Sequence, residues 1–278
     1  MKAIFDDISK RASKMVTNTY STSFSLGVRF LSAKFHNPIY AIYGFVRLAD
    51  EIVDSFHTYD KAKLLEKFKH DTYSAIEDKI SLNPILNNFQ QVVNDYQIDD
   101  WLIDTFLKSM EMDLTVQSYD QETYETYILG SAEVVGLMCL KVFVEGDTQK
   151  YEHLKNSAIK LGSAFQKINF LRDFRADVNE LGRVYFPQLK HQPFNEQTKK
   201  EIEADILNDF KLGYEGIVQL PKDARFGVYV AYIYYYQLFK KITHIPAHRI
   251  EEERIRIPDK QKYALFFGSY LRHSFNLL

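Results

Sequence analysis

Leu161–Asp177 reads LGSAFQKINFLRDFRAD, and this stretch decides the fold. Gln166, Asn169, Asp173 and Asp177 are spaced three, four and four. At ~100° per residue they fall within an arc of roughly 80° on one helix. Phe165, Ile168, Phe170 and Leu171 intervene, so the same helix must be largely buried. Two carboxylates and two amides on a buried stripe are costly without a compensating charge. Divalent cations holding a phosphorylated substrate would supply it.

A second stretch repeats the design. Residues 39–54 read IYAIYGFVRLADEIVD, with Tyr43, Arg47, Asp50 and Asp54 spaced four, three and four. These fall within an arc of roughly 60°. Two such helices face to face would gather four carboxylates across one cavity. Mg²⁺ suits that arrangement, because it takes a few carboxylates together with phosphate oxygens and retained waters.

Composition narrows the class. The chain has 278 residues, 46% of them hydrophobic, with only 11 Gly and 7 Pro. Scarce turn residues disfavour a β protein and suit long helices. Tyr (19) and Phe (21) are abundant enough to wall an apolar cavity or simply to fill a core. A net charge of −2 without a basic stripe argues against nucleic acid. The single cysteine, Cys139, excludes an internal disulfide and a cysteine-rich zinc site, and its neighbours suit a buried structural thiol. No signal-peptide core opens the chain. The longest apolar runs, such as 231–236, fall short of a membrane span. The expectation is a cytoplasmic protein of one domain over 1–278, able to touch a membrane surface.

Along the chain, Ile4, Ile8, Ala12 and Met15 recur with helical period. The Ser/Thr-rich run that follows predicts a helix break and a polar flap, where Ser21 and Ser23 could donate to phosphate or merely cap a helix. Asn37-Pro38 is read as the start of the first acidic helix, ending near Asp54. Helices are expected at 61–79, 84–95 and after Asp99-Asp100, where Asp113 could be functional but reads rather as a surface acid. Residues 121–144 form an apolar helix in which Gly130 and Gly136 predict close approach of a backbone or ligand. The second acidic helix covers about 150–179 and breaks at Gly182, beyond which Arg183 could reach phosphate and Tyr185 could line the cavity. Residues 188–198 read as a polar loop. Helices at 197–217 and 221–243, a charged connector from His244 to Pro258, and a last helix at 259–276 complete the reading.

YSTSF at 20–24, AIYGFVRLADEIVD at 41–54 and LGSAFQKINFLRDFRADVNELGRVYFP at 161–187 together resemble the squalene/phytoene synthase family of head-to-head prenyl transferases. The resemblance covers nearly the whole chain. It implies an all-α isoprenoid-synthase bundle with a central apolar cavity. It places Ser21, Ser23, Tyr43 and Arg47 near diphosphate and the reacting prenyl groups. Asp50 and Asp54 match the first aspartate-rich motif. Gln166, Asn169, Arg172, Asp173 and Asp177 match the second, with Arg183 and Tyr185 on its flank. Asp50, Asp54, Asn169, Asp173 and Asp177 are the implied metal ligands. Tyr235 and Lys260 match a late tyrosine and a late basic residue. Ala176 stands where an acid often precedes the last aspartate, and Tyr20 where a basic residue or histidine is common.

The implied reaction joins two prenyl diphosphates through a cyclopropyl diphosphate, with Mg²⁺ or Mn²⁺ and without NADPH. Two geranylgeranyl diphosphates would give phytoene. Gly27 and Val28, implied to form cavity wall, leave room that favours C20 substrates. Farnesyl diphosphate would give dehydrosqualene, or squalene if a reduction follows. A non-catalytic helical assembly protein should have lost aspartates that this chain keeps. A di-iron bundle would need Glu-x-x-His pairs, absent from the acidic helices.

Overall fold

The computed structural model describes residues 1–116 and 118–257. The expected final helix at 259–276, with Lys260, lies outside the described residues. Twelve α-helices occur among the described residues: α1 (Lys2–Tyr20), α2 (Thr22–Arg29), α3 (Ala33–Asp54), α4 (Lys61–Asp78), α5 (Pro84–Tyr96), α6 (Asp100–Asp113), α7 (Gln121–Ile128), α8 (Val134–Phe143), α9 (Thr148–Asn179), α10 (Glu196–Ile217), α11 (Lys222–Thr243) and α12 (Ala247–Glu252). No strand occurs among them; one isolated bridge joins Ser118 to Val184.

Side-chain caps start several of these helices. Asp60, Asp120 and Asp147 each accept from a backbone N–H three residues on, at 3.0 Å. Asn83 caps α5 ahead of Pro84. Asn195 and Thr198 form a reciprocal capping box at α10. The first acidic helix begins at Ala33, ahead of the Asn37-Pro38 start suggested by sequence. Pro38 lies inside α3. Burial of Phe35, Ile39 and Tyr40, each at most 3% exposed, carries the helix through the rung that proline removes. The expected flap is largely helical as well: only Ser21 is extended, and α2 follows at once. The charged connector after His244 contains α12, whose Ala247 N–H donates to Glu196 at 2.6 Å.

α1 is turned the opposite way from a core helix. Ile4, Ile8 and Met15 are 66%, 44% and 65% exposed. Ser9, Ser13 and Thr17 are fully buried instead. Each hydroxyl donates to the carbonyl four residues back, which satisfies it without a wide partner. Asn87 and Asn88 of α5 donate to Ser9 and Ser13 at 3.1 and 2.9 Å. Small hydroxyl residues thus let α1 lie close on α3 and α5.

The core has two lobes. In one, Phe45 of α3 stacks on Phe89 of α5 at 4.0 Å and packs with Phe68 and Phe106. The other gathers α9, α10 and α11 around Phe210. Between them, Leu129–Glu133 form a π-helical turn linking α7 to α8. The continuous segment Gln121–Phe143 has the length and hydropathy to cross a membrane. Here it is a core element pressed on α6 and α9. A Cβ on Gly130 would stand 2.5 Å from Ser109 Cβ and 2.6 Å from the Thr105 carbonyl oxygen. The close approach that the sequence predicted at Gly130 is therefore helix packing.

Gly130→Ala should destabilise the protein by about 1–3 kcal/mol, because the obstacle includes backbone. Gly27→Ala, whose added Cβ would meet neighbours at an ordinary 3.6–3.7 Å, should leave stability unchanged or raise it. Thermal and urea unfolding of the two variants check both signs.

Candidate active site

The two acidic stripes face each other at one end of α3 and α9. Asp54 is tied to the α9 side by Arg183, whose Nη1 donates to Asp54 Oδ1 at 3.0 Å. Gly182 has φ +67, a left-handed turn that favours glycine. That turn reverses the chain, so that the Arg183 N–H donates to the Asp177 carbonyl at 2.7 Å. The Arg183 guanidinium then points back under the acids.

Each acid has its own surroundings. Burial, and then repulsion from Asp54, push Asp50 up to about 6. Burial, and then Asp173, push Asp177 up to about 7, with Asp54 adding across the gap. Arg47 bonds both Asp50 and Glu51. Its guanidinium lies 4.3 Å from the Tyr20 ring centroid, which gives Tyr20 a cation–π contact. Asp173 receives Arg172 Nη2 at 2.6 Å and Arg254 Nε at 2.6 Å. Burial works against the Arg172 charge, but the Asp173 bond more than offsets it and holds the guanidinium above its ordinary range.

Asp113, read from sequence as a surface acid, is buried in this site. It accepts from the Tyr127 hydroxyl at 3.0 Å and stands 3.6 Å from Arg183 Nη1. Arg183 Nη2 also donates to its backbone carbonyl at 2.8 Å. Burial pushes its carboxyl up to about 7. Glu51, Tyr127 and Arg254 belong to the site and were not picked out by sequence, and Asp113 was weighed as functional but read as a surface acid. An Asp at the end of a helix carrying Trp101, Ile103, Phe106, Leu107 and Met110 was the available signal for Asp113. For Arg254, in a charged connector, there was none.

The remaining residues divide by place. Tyr43, Gln166 and Tyr235 line the cavity behind the acids. Tyr43 stacks on Phe24 at 4.8 Å and Tyr235 on Phe165 at 4.1 Å. Burial pushes the Tyr43 phenol up to about 12, so it stays protonated. Asn169 has a buried carbonyl oxygen without a hydrogen-bond partner. Ser21 caps α2, accepting from the Phe24 N–H at 3.2 Å. Ser23 is half-buried on the first turn of α2. Tyr185 does not line the cavity. It stacks on Phe170 at 4.1 Å and lies behind Arg183, because the turn at Gly182 sends it under α9.

The cavity itself measures about 290 Å³ and is lined almost wholly by apolar and small side chains. Gly27, Val28, Cys139 and Gly162 are among them. Burial pushes the Cys139 thiol up to about 12, which keeps it a neutral wall element. On α9 the lining runs from Leu154 to Gln166, and Asp173 follows. At ~1.5 Å per residue, Leu154 to Asp173 spans about 28 Å. An acidic, arginine-bound crown therefore stands at one end of a long apolar trough.

Among the described residues, no three acidic, histidine or cysteine side chains stand close enough to make a ready cation cage. The donor chemistry nonetheless fits a hard cation: carboxylates raised by burial and then by mutual repulsion, and the unpartnered Asn169 oxygen. It fits a cation arriving with phosphate oxygens better than one held by protein alone.

The family model described as squalene/phytoene synthase matches residues 17–261. The chain is 27% identical to a phytoene synthase of Arthrospira platensis, over 90% of this chain and 88% of that one. It is 26% identical to a 4,4'-diapophytoene synthase of Staphylococcus haemolyticus, over 70% and 67%. Among solved structures it superposes on a dehydrosqualene synthase in complex with ligand with TM-score 0.79 at 20% identity, covering 96% and 98%. A squalene synthase from Alicyclobacillus acidocaldarius gives TM-score 0.74 at 17% identity, covering 88% and 95%. These likenesses establish the all-α isoprenoid-synthase fold.

Two outcomes follow from the electrostatics. A folded-state pKa above the ordinary carboxylate value means that the folded protein binds more protons than the unfolded chain from about pH 4 to about pH 7. Asp177 therefore contributes a loss of stability as pH rises through that window. Asp177→Asn should remove the loss, stabilising the metal-free protein at pH 8 by about 1–3 kcal/mol while lowering turnover severely. Unfolding curves at pH 5 and pH 8 in chelator measure the first effect. Arg47→Lys should lower turnover or substrate affinity at least about tenfold, since lysine cannot reproduce the paired bonds. Unchanged kinetics with a lowered melting temperature would make Arg47 purely structural.

Proposed function

Because the chain belongs to the squalene/phytoene synthase family, we propose that it joins two prenyl diphosphates head to head, with geranylgeranyl diphosphate as substrate and phytoene as product. The observation that carries this reading is the arginine-bound acidic crown at one end of an apolar trough whose lining runs about 18 Å along α9. A diphosphate head and a long hydrocarbon tail need those two surroundings in that order.

The crown acts on the diphosphate. Arg47, Arg172 and Arg183 already hold carboxylates, and each guanidinium can turn part of its fork to phosphate oxygens. Asp50, Asp54, Asn169, Asp173 and Asp177 would hold Mg²⁺, or Mn²⁺ in its place. When bound, that ion supplies charge neutralisation for the departing diphosphate. Tyr43 keeps its proton and can donate to an oxygen as charge develops there.

The trough acts on the tails. Phe24–Tyr43 and Phe165–Tyr235 form two stacked aromatic pairs at its polar end. Their ring faces stabilise an allylic cation without offering a nucleophile. The apolar wall excludes water, which would otherwise capture the cation as an alcohol. The cation is attacked by the double bond of the second chain, and loss of a proton closes the cyclopropane. A second ionisation, rearrangement and proton loss give the hydrocarbon. No reductant enters this sequence.

Gly27 and Val28 lie in the wall, which supports the longer C20 chains. A second reading has farnesyl diphosphate as substrate and dehydrosqualene as product. It is favoured by the diapophytoene synthase relative, whose identity to this chain is nearly the same.

Product analysis after separate incubation with C15 and C20 diphosphates tests the reading. Hydrocarbon from the C20 substrate is expected with Mg²⁺ and without NADPH, and none in chelator. Val28→Phe should shift preference toward C15. A folded, active variant with an unchanged ratio would remove Val28 from the determinants of length. Strict dependence on NADPH would move the protein to the squalene-forming class.

A further inference from the structure

We propose that Lys167 is a positioning residue: through its buried pair with Asp209 it fixes the rotation of α9 that turns Gln166 into the trough and Asn169, Asp173 and Asp177 toward α3. The role rests on the proposed function only where turnover is the readout.

α9 needs such a device because apolar burial orients it weakly. Ala164, Ile168 and Leu171 occupy its packed side, and Leu154, Leu161 and Phe165 its trough side. A helix that is apolar nearly all round buries almost as much apolar surface after a roll as before it. A roll of one residue, ~100°, would carry Asn169, Asp173 and Asp177 away from α3. Charge does not allow that roll. Lys160, Ser163 and Lys167 lie within an arc of roughly 60° on α9, about 110° round from the acidic stripe.

Lys167 and Asp209 of α10 are 8% and 1% exposed. Lys167 Nζ donates to Asp209 Oδ2 at 2.7 Å and also bonds Asp205, one turn earlier on α10. The other Asp209 oxygen stands 3.3 Å from Lys160 Nζ. One buried carboxylate is thus held by two lysines two turns apart on α9, which blocks sliding as well as rotation. Ser163, between those lysines, donates to Glu133 and so ties the π-helical turn to the same face of α9. A buried ion pair is a poor source of stability, since apolar residues of similar volume often do as well or better. Its best-attested use is to set register. Lys167 adjoins Gln166 and stands two residues from Asn169, so a rotation fixed at Lys167 is fixed at the site.

Two variants separate register from stability. Lys167→Met alone leaves the Asp209 charge short of a partner and should lower the melting temperature. Adding Asp209→Leu removes that charge and should restore or raise it. The double variant should nonetheless lose at least about tenfold in turnover, and in calorimetric affinity for inorganic diphosphate with Mg²⁺. Hydrogen exchange along residues 160–177 should quicken as well. A double variant with wild-type exchange and diphosphate affinity overturns the proposal, as does a loss of function that only tracks a lower melting temperature. If the double variant does not fold, Lys160→Met, which keeps the buried pair, should show the same changes in smaller measure, and wild-type behaviour in it overturns the proposal. Wild type that makes no hydrocarbon, while exchange and diphosphate affinity still separate the variants, would strike the proposed substrates and leave the role of Lys167 standing.

Discussion

Desolvation and mutual repulsion among half-buried carboxylates are the constraint on which this structure turns. Asp50 and Asp54 on one helix face Asp173 and Asp177 on another, and Asp113 stands behind them. Buried charge of one sign is tolerable only if cations are brought to it. Three devices bring them. Arg47 sits one turn before Asp50 and binds it within the same helix. Arg172 folds onto its own neighbour Asp173. Arg183 returns after a glycine turn to bridge Asp54 and Asp113. Even so, Asp50 and Asp177 stay well above the ordinary carboxylate range. The residual strain is what a cation and a diphosphate would relieve, so the same repulsion that lowers the stability of the empty protein prepares the site for its ligand.

The rest of the fold keeps this cluster at the end of an apolar space. α3 and α9 carry both functions along their length: acids toward one end, aliphatic and small residues toward the other. Close packing around the space relies on residues with little or no side chain. Gly130 meets Ser109 and Gly162 meets Ala132, so the π-helical turn can press on α6 and α9 at once. The stacked ring pairs then stand where the acidic and apolar regions meet, the place a carbocation would form.

Much of this was readable from residue order. Local hydrogen bonding and periodicity act over a turn or two, so the acidic stripes, the helices and most caps follow from spacing. The reading erred where distant packing overrode local preference. Pro38 suggested a helix start, but buried neighbours on both sides keep α3 continuous. The Ser/Thr run suggested a flap, and the structure makes it a single extended residue between two helices. Tyr185 sits two residues from Arg183 and looked like its partner in the cavity, yet the turn sends it behind.

Sequence by itself determined that the chain is helical and that two helices carry matched acidic stripes, with Tyr43 on one and Gln166 on the other; Tyr235 was implied only by the family resemblance. Side-chain spacing on a helix is a local property, and it survives any arrangement of the other elements. Tertiary structure alone decided which acids are truly buried, which arginine serves which carboxylate, and which way α1 faces. Asp113 and Arg254 come to the site from segments far apart in the chain, and no period links them to it. Ile4, Ile8 and Met15 make a stripe that periodicity detects but cannot orient. Its outward direction is set by hydroxyl and amide contacts between α1 and α5, more than seventy residues apart in the chain.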